Sequence, residues 1–225
     1  MRISHYIAAV ILSGSVLGVA QGVTFSGSAT GSFGTPDPAE NNTGVGTNEV
    51  RFGDVANPNV LRLDGQSFSA EDDAPFAVSG LTYTNGLSNF GSVSIPANVT
   101  MDFSSPTGLS RTFNFTFQLT ATDNLTGDPV VDADTLVVSN AISSTTFTVD
   151  GQELTLKLLG FSTDSGQTLT TSFTLPENQT VQSQLIGQIT APEPGGPGAP
   201  IPEPATVALW VLGVGLLTAK KWRRA

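Results

Sequence analysis

The chain has no cysteine. That absence removes disulfide staples, thiolate-ligated zinc, iron–sulfur clusters and a thiol nucleophile. Its single histidine, His5, lies in an N-terminal stretch with the pattern of a cleaved leader, so a histidine triad or multi-histidine metal site is excluded from the mature protein. Charge is scarce: 12% of the 225 residues are Asp, Glu, Lys or Arg, against about 25% in ordinary globular chains. Flat amphipathic rings are also rare. Trp210 and Trp222 both sit near the C-terminus, Tyr6 sits in the leader, and only Tyr83 remains in the interior of the sequence. Apolar runs long enough to suggest membrane insertion occur only at the two ends.

Residues 1–20 read as a secretory signal. Arg2 supplies a positive start, residues 7–17 an apolar run, and Gly18-Val19-Ala20 a small-residue cleavage site. At the other end, residues 191–200 (APEPGGPGAP) are too rich in proline and glycine for a helix or a sheet interior and read as a linker. Then follow Pro202, Glu203 and Pro204, an apolar stretch from Ala205 to Ala219, and the basic cluster Lys220, Lys221, Arg223 and Arg224. As a helix at about 1.5 Å per residue, residues 205–219 reach only ~22 Å, short of a hydrocarbon core of about 30 Å. The basic end is expected to stay cytoplasmic, with this segment in the inner membrane and the body outside.

The order Ile201-Pro202-Glu203-Pro204-Ala205-Thr206, a short apolar helix through Lys221, and a terminal Arg223-Arg224 resembles the PEP-CTERM sorting signal of Gram-negative bacteria. The resemblance implies that Pro202, Glu203 and Pro204 form a sorting motif recognised by an exosortase, a membrane transpeptidase-like enzyme. It also implies a producer of extracellular polysaccharide as host.

The middle of the chain is acidic and strand-like. Between residues 21 and 200 there are four basic residues (Arg51, Arg62, Arg111 and Lys157) against eighteen acids, a net of −14. Such a body repels phosphate backbones and anionic lipid, which argues against nucleic-acid binding. Residues 112–120 (TFNFTFQLT) alternate strictly, with Phe113, Phe115, Phe117 and Leu119 on one face. Period two builds one buried face, where helical spacing would smear those rings around a cylinder. Residues 179–189 repeat the pattern with Val181, Leu185 and Ile189. Phe147-Thr148-Val149 is expected to meet Leu154-Thr155-Leu156 across Asp150-Gly151, a pair suited to a type I′ turn.

Further strands are expected at residues 24–33, 47–52, 60–63, 76–84, 93–103, 134–138 and 169–175. Breaks are expected at Asp64-Gly65, Asn85-Gly86 and Pro96-Ala97-Asn98. No helix is expected before the C-terminal tail. Nine or ten short strands without helices predict an all-β fold, a two-sheet antiparallel β-sandwich of Greek-key or jelly-roll type. The expected organisation is therefore a signal peptide at 1–20, a sandwich at 21–190, a linker at 191–200 and a sorting segment at 201–225.

Five segments of the body, residues 29–36, 44–54, 76–86, 132–136 and 146–161, resemble in order the choice-of-anchor K domain. Related bodies of that type carry different C-terminal sorting signals, and no activity or cofactor follows from the resemblance. The acidic run Glu71-Asp72-Asp73 matches none of its motifs.

Paired carboxylates are the remaining catalytic raw material. Glu49, Glu153 and Glu177 are the strand-adjacent candidates for a glycosidase pair, which needs its carboxyl groups about 5–5.5 Å apart to retain configuration. Sugar sites usually stack rings on Trp or Tyr, and this body offers only Tyr83. Asp123, Asp128, Asp132 and Asp134 crowd one Gly/Pro-containing stretch that could offer oxygens to calcium, although Asp132-Ala133-Asp134 lacks the glycine and bidentate glutamate of an EF-hand. The default for that stretch is a solvated acidic loop, so no catalytic, cofactor or metal residue is assigned. The expected protein is a non-enzymatic, exported surface or matrix protein. Its partners are an exosortase-like enzyme, the inner membrane and extracellular polysaccharide. The rival expectation is a carbohydrate-binding module.

Overall fold

A computed structural model describes residues 24–39, 41–86, 91–122 and 126–191. The expected leader, most of the linker and the whole sorting segment, including Pro202, Glu203, Pro204 and the apolar helix, lie outside the described residues.

Alternation of apolar and polar residues gives twelve strands: β1 (Thr24–Phe33), β2 (Glu49–Phe52), β3 (Asn59–Asp64), β4 (Gln66–Glu71), β5 (Pro75–Thr84), β6 (Ser92–Ser105), β7 (Leu109–Thr120), β8 (Asp134–Ser139), β9 (Ile142–Val149), β10 (Gln152–Ser162), β11 (Ser172–Leu175) and β12 (Thr180–Thr190). They form two six-stranded sheets, ordered β11-β8-β7-β6-β1-β4 and β2-β3-β5-β12-β10-β9. Every pairing is antiparallel. The sheets bury their apolar faces against each other as a β-sandwich, and no helix occurs among the described residues.

The strongest sequence pattern sits at the centre. Phe113, Phe115, Phe117 and Leu119 of β7 are all buried, opposite Val99, Ala97, Ile95 and Val93 of β6. Burying each phenylalanine contributes roughly 1.5–3 kcal/mol. The β9–β10 hairpin closes as expected. Gln152 pairs with Val149, and both turn residues take positive φ, 51° at Asp150 and 81° at Gly151. A type I′ turn demands that of both central positions, which explains the Asp-Gly pair.

Two expectations need correcting. The segment Pro96-Ala97-Asn98 does not interrupt a strand; it lies inside β6, with Pro96 opposite Thr116. Proline is excluded from central strands because it cannot donate to the ladder. Here β1 has already ended at Phe33, opposite Ala97. The Pro96 carbonyl accepts from Gly34 N–H at 2.7 Å, so its nitrogen also faces that flank, where a single ladder bond is lost. Second, there are twelve strands and not nine or ten, and β4 is absent from the expected set because it carries no strong pattern, Phe68 and Ala70 being its only buried residues. It forms by pairing with β1, from Thr24 opposite Glu71 to Ala29 opposite Gln66.

Two bulges bend the second sheet. One extra residue in β5, Val78, and one in β10, Leu159, both fall opposite the 185–187 stretch of β12. The strand between them keeps its phase, with Leu185 and Ile189 buried and Val181 half-buried, while the bulged neighbours kink beside it.

Phe117 touches rings of both sheets, Phe33 at 5.7 Å and Phe161 at 6.3 Å between centroids. Phe117→Ala is expected to lower unfolding free energy by about 3–5 kcal/mol. Asn114→Ala, on the exposed face of the same strand, should change it by no more than ~0.5 kcal/mol in a denaturant titration.

Candidate functional site

The outer face of the second sheet carries a polar groove of about 450 Å³. Its floor follows from register. Arg62 of β3 lies beside Thr82 of β5, which lies beside Gln182 of β12; in the next row Asp64, Gly80, Gln184 and Ser162 stand side by side across β3, β5, β12 and β10. These positions point away from the core, so period two makes them polar. The bulges just beyond them curve the strands, and Gly80 leaves backbone uncovered in the middle of the row.

One wall is the loop that follows β10. Ser162 Oγ donates to Asp164 Oδ1 at 2.6 Å and accepts from Gly166 N–H at 2.7 Å, while Asp164 Oδ1 also accepts from Thr168 N–H at 2.8 Å. The Ser162 hydroxyl, followed by the Thr168 amide, holds the Asp164 carboxyl down at about 2. Along the floor Arg62 Nε lies 2.9 Å from Asp64 Oδ1, an ion pair without hydrogen-bonding geometry that sets the two charges against each other. Gln66 Nε2 is shielded from solvent in the lining and makes no hydrogen bond. The groove is thus a field of amides and hydroxyls around a neutralised ion pair.

A second polar cluster sits inside one end of the sandwich. Tyr83 is entirely buried, and its hydroxyl donates to Asn85 Oδ1 at 3.1 Å. Asn85 Nδ2 donates to the Leu175 carbonyl at 2.8 Å, and its backbone exchanges 2.9 Å bonds with Gln179 and Asn178. One asparagine therefore ties the end of β5 to the turn between β11 and β12. Burial pushes the Tyr83 phenol far up, with the nearby Asp134 and Glu177 charges adding to the effect.

The acidic loop before β8 is built inward. Asp134 is buried and its Oδ1 accepts from Thr122 N–H at 2.8 Å and from Thr122 Oγ1 at 3.2 Å. Asp132 spends both oxygens on the loop: Oδ1 takes Thr126 Oγ1 at 2.8 Å and Oδ2 takes Gly127 N–H at 2.7 Å. Asp128 Oδ1 caps Val130 N–H at 2.9 Å. Asp123 lies outside the described residues. Among the described residues no three carboxylates converge as a cation site requires. The spacing of these aspartates reflects turn-building, in which carboxylates satisfy loop amides.

Nor do the glutamates share a cleft. Glu49 on β2 is held by Arg51 Nε at 2.8 Å, while Glu153 on β10 is separated from it by β3, β5 and β12. Four strand spacings amount to about 19 Å, far beyond the ~5–5.5 Å of a retaining pair or the ~6.5–9.5 Å of an inverting one. Glu177 sits in the β11–β12 turn, where its charge reaches Tyr83. The groove residues were not singled out from sequence. Their only signal was a run of outward polar residues, which any half-exposed strand shows.

Residues 200–225 match the PEP-CTERM protein-sorting motif. None of the curated proteins compared with the chain matches it. The motif implies export, sorting to the cell envelope or surface, and processing by an exosortase-type enzyme. The matched segment contains Pro202, Glu203 and Pro204.

Burial is the largest influence on Asp134 and raises its pKa above the ordinary 3.8, against the opposing hydrogen bonds from Thr122. The folded state therefore holds this proton more tightly than the unfolded chain. The stabilisation is complete below pH 3.8 and is lost as pH climbs through the raised value. Asp134→Asn, which keeps an acceptor for Thr122, should flatten that part of the stability profile between pH 4 and 7 in urea titrations. An unchanged slope would mean that Asp134 does not set it.

Proposed function

We propose that the chain is a non-enzymatic, exported surface or extracellular-matrix protein of a Gram-negative bacterium. The match at residues 200–225 carries this reading. The signal pattern at 1–20 delivers the chain across the inner membrane, and residues 205–219 pause it there with the sandwich in the periplasm. Processing near Pro202-Glu203-Pro204 then passes the body outward through the linker at 191–200. The body, residues 21–190, is assigned to the choice-of-anchor K type on the five ordered segments quoted above.

Several features support a non-enzymatic role. Cysteine is absent and the one histidine is in the leader. Glu49 and Glu153 are on distant strands, and Asp134 is enclosed in the core. Expressed in a host without an exosortase, the chain should remain membrane-bound at full length, whereas a host that has one should yield a shortened, released or transferred body. Identical processing in both hosts, read by immunoblot of membrane fractions, would contradict the sorting role.

The groove favours carbohydrate binding as a second reading. Every aromatic ring among the described residues is buried, so ring stacking is not on offer. Gln66, Thr82, Gln182 and Gln184 instead provide donors and acceptors for hydroxyls, in a lining whose charges cancel. A body at −14 suits neutral glycans better than acidic ones. The released body should be retained by neutral polysaccharide, and Gln182→Ala with Gln184→Ala should weaken retention by about tenfold, equal to ~1.4 kcal/mol. Retention equal to that of the double variant would remove this reading.

A further inference from the structure

Four strands end the two sheets, and three of them are blunted. β2 has four residues, carries Glu49 and Arg51, and its outer side already bonds a loop, with Arg51 and Thr43 exchanging N–H···O bonds of 3.0 and 2.9 Å. β11 has four residues. β4 ends on the acidic run Glu71-Asp72-Asp73, which places three like charges at one end of any self-pairing. Short edges and edge charges are how sheet proteins avoid adding strands from other molecules.

The fourth edge has none of these devices. β9 runs eight residues, Ile142–Val149, with the sequence ISSTTFTV: no charge, no proline and no glycine. It pairs with β10 on one side. Among the described residues, no backbone hydrogen bond leads from it to any other element. Alternate residues of an antiparallel edge therefore present their N–H and C=O groups outward. Ile142, 69% exposed, sits at its start.

We propose that β9 is the docking edge for a second copy of this chain, joining two second sheets into one twelve-stranded antiparallel sheet about a twofold axis. Self-complementarity selects a second copy as the occupant. With Thr145 on the axis, Ser144 faces Thr146 and Ile142 faces Thr148; with Thr146 on the axis, Ser144 faces Thr148 and Thr146 faces itself. Either register sets hydroxyl against hydroxyl or methyl on the exposed face and brings no charges together. The chain already favours such pairs inside its own sheets, with hydroxyls 2.9 Å apart at Thr100–Thr112 and at Thr84–Thr180. β9 has no charge of its own with which to select a different protein by electrostatics. The charges beside it are Lys157 and Glu153 of β10, next to Ser144 and Thr148, and Arg111, whose guanidinium lies 5.7 Å from the Phe147 ring. The two anionic bodies repel at a distance, so added salt strengthens the contact, the reverse of an ion-pair interface.

The inference is independent of sorting and of glycan binding. Sedimentation equilibrium of the full-length chain in detergent tests it. The expected result is a monomer–dimer equilibrium that tightens between 0.15 and 0.5 M salt and weakens by about tenfold or more in the double variant Ser144→Lys/Thr146→Lys. The same charges on β4, Ser67→Lys/Ser69→Lys, should leave it unchanged. Hydrogen exchange on the unmutated chain gives a second readout, in which alternate β9 amides gain protection as concentration rises. A chain monomeric throughout, a dimer indifferent to the β9 lysines, or β9 amides whose exchange ignores concentration would overturn the proposal.

Discussion

Contacts between phenylalanine rings hold the two sheets face to face. One chain of contacts runs from Phe76 through Phe68, Phe103 and Phe147 to Phe25, and another from Phe33 through Phe117 and Phe161 to Phe173, with centroids 5.2 to 6.3 Å apart. Most of these contacts cross from one sheet to the other. Edge-to-face and tilted rings interlock more tightly than aliphatic layers alone, and each pair adds to plain area burial. The chain has no cysteine, and among the described residues no three metal-ligating side chains converge, so these described strands show no covalent or coordinate substitute for this ladder. The chain passes repeatedly between the two sheets, so the core can close only when strands distant in sequence meet.

Committing the rings inward decides what the outside can do. Period two gives each strand one face for the core and one for water, and every described aromatic residue has gone to the core. The outer faces are left rich in threonine, serine and glutamine, with a few charged residues such as Arg62, Asp64 and Lys157 among them. The groove arises where two bulges flank β12, so its shape comes from backbone register and its chemistry from the polar side of the same strands.

Alternation made β7 and the β9–β10 hairpin legible in the sequence, because each carries several large apolar residues in phase or a turn with one dominant geometry. β4 was not legible: QSFSAE has a single large apolar residue, and its pairing with β1 is a tertiary event. Pro96 misled for a related reason, since a proline's acceptability depends on where the neighbouring strand stops, and only the assembled sheet fixes that. The groove was equally hidden. Arg62, Thr82 and Gln182 are far apart in the chain and become a row only through register. Asp132 and Asp134 were visible as an acidic cluster, but both oxygens of Asp132 and Oδ1 of Asp134 turn to loop amides and hydroxyls, a distinction that composition cannot make.

Charge and edges complete the argument. A net of −14 between residues 21 and 200 makes copies repel as they come within about a screening length of each other, ~8 Å at physiological salt. That repulsion acts on whole bodies and disfavours any approach through a charged patch. A contact therefore forms most readily where charge is locally missing and unfilled hydrogen bonds are ordered along a line. Sorting to an envelope raises local concentration of the body at a surface, where even a modest strand-to-strand contact is populated. The neutral edge at β9 and the acid-tipped edge at β4 then have complementary roles, one admitting a neighbour and the other refusing it. Such an arrangement limits growth to a closed pair, because a sheet with one permissive edge cannot extend into a fibre through strand addition.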